Sequence, residues 1–385
     1  MRFLIFSYDF YPFNKATAKM VHKILLEFSS GNILIDVISK GNSKKTIIIN
    51  QSISNYQCID YDNCNFSLRK LFYKIFRKIY SRFCIWGLFD TKRFLKIGKK
   101  LTSHNKYDAI ISFSGVFSAH NAAYLLSKQT KIPLFLFYAD PFSSNFVLRN
   151  KNQHSLFKLE EKWIHQSQLV FLPKNYHTEY SNLFVNYLDK FVECELPGFF
   201  NDEELHTINH TPVQKELIVY AGDFFQRFRE PLNFIKLAQL FPNFKFIVLG
   251  CLNAKSCQKI TIPKNICIVG RLTKDKYLKT IGAAQALFLE DNVFPNQIPY
   301  KAFEYISTGK PIIYSTKNKE SSASKLLENY DRLVVFDNEQ FDKDDFLKKI
   351  SINCTNFTLS DYYDKYKTCF VSDIILKSIE KQLDI

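Results

Sequence analysis

The sequence predicts an α/β protein made of two doubly wound halves, each a parallel sheet covered on both faces by helices. Three observations carry this. Short apolar runs alternate with stretches of helical period along nearly the whole chain, which is the pattern of parallel strands joined by crossover helices. The apolar runs are continuous rather than alternating, as a sheet covered on both faces requires. With 385 residues, 46% of them hydrophobic, the chain exceeds one comfortable core, so two domains are expected.

In chain order, residues 2–8 form a first apolar strand, Tyr11 and Pro12 close a loop, and residues 16–30 form a helix that Gly31 ends. Strands follow at 33–39 and 46–50, with a weaker one at 56–61. Beyond a basic segment at 68–106 the alternation resumes. It gives strand 109–113, helix 119–128, strand 133–139, helix 156–166, strand 169–172, helix 175–189 and strand 191–196. Pro197, Gly198 and the polar stretch 201–214 read as an interdomain linker. Three strands of the second half then run into glycine, at Gly222, Gly250 and Gly270. In an open α/β sheet that is the edge where the backbone must come close to a ligand. A helix at 274–284, strands at 286–289, 312–315 and 333–336, and a helical region from 360 onward complete the chain. The expected domains are 1–198 and 199–365, with a trailing helix at 366–385.

Composition excludes several classes. No run of 18 or more uncharged apolar residues is present, so no membrane span is expected. The opening MRFLIFSYDF reads as a buried strand rather than a leader peptide. Nine scattered cysteines without a C-x-x-C pair suit reduced thiols in a cytosol, with neither a disulfide framework nor a zinc site. His206 and His210, four apart, lie in the linker stretch and are not read as metal ligands. The formal charge of +15 is concentrated at 68–106, where twelve Lys or Arg face one acid, Asp90. In its first half Leu68, Leu71, Phe72, Ile75, Phe76, Ile79, Phe83 and Trp86 share one helical face, with Arg69, Lys70, Lys74, Arg77 and Lys78 largely opposite. Such a helix suits an anionic bilayer surface, or it buries its apolar face in its own domain and solvates its charges. No nucleic-acid motif accompanies the basicity.

The most informative stretch is PYKAFEYISTGKP, residues 299–311. Pro299 sits where a helix begins after the strand at 286–289, and Gly309 stops the helix. Ala302, Phe303 and Ile306 are expected to face the sheet, while Lys301 and Glu304, three apart, share the other face. A helix start with unpaired amides, one lysine and one carboxylate can hold a phosphorylated sugar carrier, the amides and Lys301 on phosphate and Glu304 on vicinal hydroxyls. The alternative is a solvated helix pair.

These motifs, together with FSYDFYPFNKATA, DAIISFSGVFSAH, IPLFLFYADPF, LEEKWIHQSQLVFLP, VYAGDFFQRFREP and GRLTKDKYLKTIGAAQALFLE, resemble the GT-B glycosyltransferases. The details resemble the large retaining family, family four, that builds bacterial surface polysaccharides. The resemblance implies two Rossmann-like domains facing a central cleft, the first binding a lipid-linked or oligosaccharide acceptor and the second a nucleotide diphosphate sugar, with no metal or other cofactor. It places Glu304 as the second glutamate of the family's E-x(7)-E signature, on the donor ribose, and Lys301 beside it. The first glutamate is replaced by Asn296, so Asn296, Gln297 and Ile298 stand where the donor sugar is met. Arg227 and Arg229, with Gly222 and Gly250, fall where relatives hold the diphosphate. His120 and Asp140 fall where relatives face the sugar or the acceptor hydroxyl; the alternatives are a helix-start packing residue for His120 and an N-cap before Pro141 for Asp140. Ala16 and Thr17 replace the glycines of the relatives' first loop. The implied reaction is glycosyl transfer with retention, by front-face attack, at the inner face of a cell membrane. A sugar-nucleotide epimerase of the same fold and a noncatalytic basic scaffold are the alternatives.

Overall fold

A computed structural model describes residues 1–10, 15–31, 33–41, 53–60, 88–113, 117–144, 153–225, 228–252, 261–337, 341–351, 362 and 365–384. The strand expected at 46–50, the amphipathic stretch 68–86, Tyr11, Pro12 and Arg227 lie outside the described residues. The chain divides into two compact units, Met1–Pro197 with Thr368–Ile385, and Gly198–Lys367.

The first unit holds a seven-stranded sheet in the order β3-β2-β1-β4-β5-β6-β7. Its strands are β1 Arg2–Ser7, β2 Leu34–Gly41, β3 Ile53–Asp60, β4 Ala109–Phe113, β5 Leu134–Phe137, β6 Leu169–Leu172 and β7 Phe191–Glu193. Every pairing is parallel, and the strand order reverses between β1 and β4. β1 is apolar between Arg2 and Ser7, and β4 apart from Ser112, because helices cover both faces. The helix Ala16–Ser30 turns Ala18, Met20, Val21, Ile24, Leu25 and Phe28 inward at the three- and four-residue spacing of one helical face. The helix Thr368–Leu383 packs against it and completes that layer. At the opposite, amino-terminal edge, the Arg2 guanidinium donates twice to Asp36 Oδ2, at 3.0 and 2.8 Å, and the Tyr107 hydroxyl donates to the same oxygen. A buried carboxylate with that many charged and polar partners ties β1, β2 and the approach to β4 together.

The described half of the basic segment is the helix Leu88–His104. It buries Phe94 and Leu101 and leaves Lys92, Arg93, Lys96, Lys99 and Lys100 exposed. Asp90, only 4% exposed, is turned inward. Burial pushes its carboxyl up, against the opposing pull of Lys40, Tyr8 and Arg93. The outward face of this helix is therefore cationic. The helix expected at 175–189 breaks, running from Lys174 to Leu183 and continuing as a 3-10 turn over Val185–Lys190 in which Tyr187 leaves helical geometry.

The second unit holds a six-stranded parallel sheet in the order β10-β9-β8-β11-β12-β13. Its strands are β8 Leu217–Tyr220, β9 Lys245–Val248, β10 Ile266–Ile268, β11 Ala286–Glu290, β12 Ile312–Ser315 and β13 Leu333–Val335. One face of the sheet is an aromatic layer in which Phe234 meets Phe246 and Phe288 edge to face, at centroid distances of 5.4 and 5.0 Å. The helices Leu232–Leu240 and Ser322–Leu327 supply crossovers, and Lys343–Ser351 follows the last strand; the sequence pattern assigned none of the three. Among the described residues no helix is long and apolar enough to cross a membrane.

The linker reading of 201–214 is corrected, because residues Asp202–Asn209 form a helix. The Asn201 side chain accepts from the Glu204 amide at 2.8 Å, and the Glu204 carboxylate accepts from the Asn201 amide at 2.9 Å. This reciprocal capping box starts a helix however polar the sequence around it is. Glu204 also meets Lys274 at 3.1 Å. Asn201→Ala should therefore lower the stability of the second unit by about 1 kcal/mol, a change that a free linker would not register in denaturant unfolding.

Candidate functional site

Ligands of doubly wound sheets gather beyond the carboxyl ends of the strands, beside the point where strand order reverses. In the second unit that point lies between β8 and β11. Here β8 runs into Ala221, Gly222 and Asp223, and β9 into Leu249, Gly250 and Cys251. The two strand ends touch through bare backbone, for a Cβ on Gly250 would lie 2.1 Å from the Gly222 carbonyl oxygen. A Cβ on Gly222 would lie 2.7 Å from Cε of Lys301. Lys301 therefore runs its stem directly across the Gly222 backbone. Gly270 has φ +79° and open space around it, so glycine is needed there for its backbone angle alone.

The helix Tyr300–Ser307 follows β11. Pro299 takes its N-cap position, one residue earlier than the first-turn place expected for it. That end has neither a side-chain cap nor an acid in its first turn, so its positive dipole is not offset locally. Ala302, Phe303 and Ile306 are fully buried, as the spacing implied, and Gly309 ends the helix at φ +65°. Glu304 departs from the expectation of an open face: it is 2% exposed, and the Tyr277 hydroxyl donates to its Oε2 at 2.7 Å. The i, i+3 spacing does put Lys301 and Glu304 on one face, but Tyr277, from the helix Lys274–Ala283, covers the part of that face holding Glu304. Burial and the Glu304 charge hold the Tyr277 hydroxyl far above the usual phenol range, so it is the proton donor of the pair. One residue on, the Tyr305 hydroxyl accepts the Ala221 amide at 2.8 Å and pins the helix to the end of β8.

Around this centre the edge is polar and tightly tied. Asp223 accepts from the Cys251 amide at 2.8 Å and from Arg271 at 2.9 Å. Partial burial raises its carboxyl, but Arg271, that amide and Lys301 outweigh it and hold the group below its usual range. Arg229 donates from Nε to Asn292 Oδ1 at 2.9 Å, and its guanidinium lies 5.2 Å from the Phe228 ring centroid. Of the two arginines the sequence could not separate, Arg229 is thus set at the edge, while Arg227 lies outside the described residues. Asn292 also donates to the Gln297 carbonyl at 2.9 Å, which bends the loop toward Pro299. Gln297 and Ile298 are half-buried and Asn296 is exposed.

Several residues here were not foreseen, namely Tyr277, Asp223, Arg271, Glu290, Asp291 and Asn292. The available signal was the run Glu290-Asp291-Asn292 at the end of an apolar strand, a costly place for charge unless it is engaged. Asp291 Oδ2 accepts from Tyr314, Thr316 and Ser321 at 2.6, 2.9 and 2.7 Å. Glu290 is pushed up to about 8, chiefly by burial, and its Oε2 has no hydrogen-bond partner.

In the first unit the two proposed reaction-centre residues differ. His120 is the fourth residue of the helix Phe117–Thr130 rather than its start, and is 2% exposed. Its Nδ1 pairs with Ser112 Oγ at 2.7 Å, and its ring packs 4.8 Å from Tyr138 and 5.9 Å from Trp163. Burial lowers it to about 3, so the ring is neutral, and its buried Nε2 has no hydrogen-bond partner among the described residues; of the two alternatives the burial agrees with packing. Asp140 lies three residues beyond β5, half-buried at the carboxyl edge, where its charge raises the nearby Tyr176 hydroxyl after the larger effect of burial.

Two outcomes follow. A methyl group at Gly250 meets backbone whereas one at Gly222 meets a movable side chain, so Gly250→Ala should cost about 1–3 kcal/mol in denaturant unfolding while Gly222→Ala costs less and displaces Lys301. Glu290 has a folded pKa near 8 against an ordinary 4.5, so its contribution is fully present below about 4.5 and is lost as pH rises through 8. Stability should fall by roughly 1 kcal/mol per pH unit over much of that window, and Glu290→Gln should flatten the decline in thermal melts.

No protein-family profile and no curated protein sequence matches the chain. Solved structures do. Anabaena Alr3699/HepE, in complex with UDP-glucose, is 12% identical with a TM-score of 0.59 over 100% of this chain and 98% of that one. Sucrose-phosphate synthase from Thermosynechococcus elongatus is 10% identical with a TM-score of 0.60, over 99% and 94% of the two chains. The UDP-GlcNAc 2-epimerase from Methanocaldococcus jannaschii is 12% identical with a TM-score of 0.59, over 99% and 100%. At such identities the likeness speaks for architecture, and the chain has the GT-B fold of two Rossmann-like domains.

Proposed function

We propose that this chain is a glycosyltransferase that takes a nucleoside diphosphate sugar at the carboxyl edge of its second sheet and passes the sugar to a lipid-linked or oligosaccharide acceptor bound by its first unit. The observation that carries this reading is the meeting of Lys301, the bare Gly222 backbone and a helix start without acid, with Glu304 held one turn on. That arrangement suits a diphosphate next to a vicinal diol. Arg229, oriented by Asn292, adds a second cation. With these charges offsetting the departing diphosphate, no metal is required by the chemistry. The sugar–phosphate bond breaks while the acceptor hydroxyl attacks the same face, and the leaving phosphate oxygen takes the hydroxyl proton. Retention follows from that path. Asp140 is the residue of the first unit best suited to meet the acceptor. The outward cations of the helix Leu88–His104 support docking on an anionic membrane surface, with the protein peripheral on the cytoplasmic side.

A sugar-nucleotide epimerase is the second reading, favoured by the likeness to UDP-GlcNAc 2-epimerase over both whole chains. Incubation with donor alone separates the two, since an epimerase yields an epimer without any acceptor. For the site itself, Glu304→Gln is preferable to Glu304→Ala, because alanine would leave the buried Tyr277 hydroxyl unpaired at a cost of about 1–3 kcal/mol. Glu304→Gln and Lys301→Ala should each weaken binding of the cognate UDP- or GDP-sugar about tenfold or more by calorimetry, with thermal stability little changed. Undiminished binding and turnover in both would refute the assigned site.

A further inference from the structure

The helix Gln153–Gln166 turns a carboxylate against the loop that follows β5. Glu160 is fully buried, and a carboxylate so placed costs free energy unless hydrogen-bond donors meet it. Its two oxygens are divided between two such donors. Oε2 accepts from the Ser143 amide at 2.9 Å and Oε1 from the Tyr180 hydroxyl at 2.7 Å. The Tyr180 oxygen in turn accepts from the Phe142 amide at 3.1 Å. Burial raises the Glu160 carboxyl, and the Ser143 and Tyr180 donors pull against it. Three residues on and on the same helical face, the Trp163 ring packs 4.9 Å from the Phe142 ring. The run LEEKWIHQ thus sends two side chains into one short loop, residues 140–144.

That loop carries Asp140, and the backbone on either side of it is tied down. Two residues earlier the Tyr138 amide donates to the Phe171 carbonyl of β6 at 3.0 Å, and two residues later the Phe142 amide is held by Tyr180. Pro141, between them, fixes its own φ and turns Asp140 away from helical backbone. The helix Lys174–Leu183 reaches the loop twice from one face. Tyr180 holds the Phe142 amide, and one turn earlier the Tyr176 hydroxyl is raised by burial and then by the Asp140 charge. A glutamine at 160 would offer one acceptor oxygen to two donors, so the geometry calls for a carboxylate. We infer that Glu160 and Tyr180 are positioning residues that fix this loop so that Asp140 orients the hydroxyl attacking the sugar. This rests on the nucleotide-sugar reading and on the place of Asp140 within it, and adds to it two residues remote from the donor site.

The test uses water in the acceptor's place: its oxygen bonds to the sugar, the sugar–phosphate bond breaks, and the leaving diphosphate takes the proton. The full chain is given a panel of UDP- and GDP-sugars, and release of nucleoside diphosphate is followed beside calorimetric donor binding. Asp140→Asn should lower kcat about tenfold or more. Tyr180→Phe, which keeps its ring against Tyr138 and Phe184, should lower kcat about fivefold or more with donor KM and Kd unchanged. Residues that act through one another are not additive, so Tyr180→Phe placed on Asp140→Asn should cost less than about twofold further. Full additivity, an unchanged kcat, or a loss that falls on donor binding instead would leave the tyrosine a brace for the fold and overturn the inference. Where Tyr180→Phe does not fold, Glu160→Gln takes its place with the same expectations and the same refuting outcomes. A chain that binds donor without releasing diphosphate overturns the inference and spares the donor site. A chain that binds none of the panel brings down the nucleotide-sugar reading itself, before any variant is made.

Discussion

The second unit depends on one close approach, in which backbone meets backbone and side chain where strands end. Gly250 and Gly222 touch directly, Lys301 crosses Gly222, and Phe303 presses on Gly198, each at a distance no Cβ could tolerate. Without side chains in these places, the helix Tyr300–Ser307 settles against the end of β8 instead of riding above it. Tyr305 then finds the Ala221 amide, and that contact fixes the rotation of the helix. The positions of Lys301 and Glu304 follow. Chemistry at this edge is thus set by what three glycines lack, which no substitution elsewhere in the helix could restore.

Much of this was legible in the sequence because the relevant signals are local. The strand at 109–113 and the helix at 16–30 fall where period and apolar content put them, and the three strand-end glycines mark the edge as read. The errors share a physical origin. The stretch 201–214 is polar, and its composition masked a capping box that lies in two residues, Asn201 and Glu204. Glu304 was read on an open face because spacing along one helix says nothing of a tyrosine arriving from another. The two alternatives for His120 stayed open for the same reason, since its neighbours Tyr138 and Trp163 are 18 and 43 positions away in sequence and only the folded sheet brings their rings against it. Period and composition report on a residue's own element, and long-range burial is where they stop.

Among the described residues the carboxyl edge of the second sheet carries four acids, which weigh against any anionic ligand unless each is answered. Each is answered differently. Asp223 is ionised and matched by Arg271. Asp291 is surrounded by three hydroxyl donors. Glu290 is raised by burial to about 8, so at neutral pH it is largely uncharged. Glu304 is held by Tyr277, one turn further from the helix start than Lys301. Beside them, among the described residues, stand Lys301, Arg229 oriented by Asn292, and a helix start with no acid in its first turn. Burial, an ion pair and hydrogen-bond donors each accommodate these carboxylates, and Lys301, Arg229 and the helix dipole are cationic features of the same edge. On the proposed function the diphosphate meets those cationic features, and the carboxylate one turn away is where a neutral diol, rather than another phosphate, gains by binding.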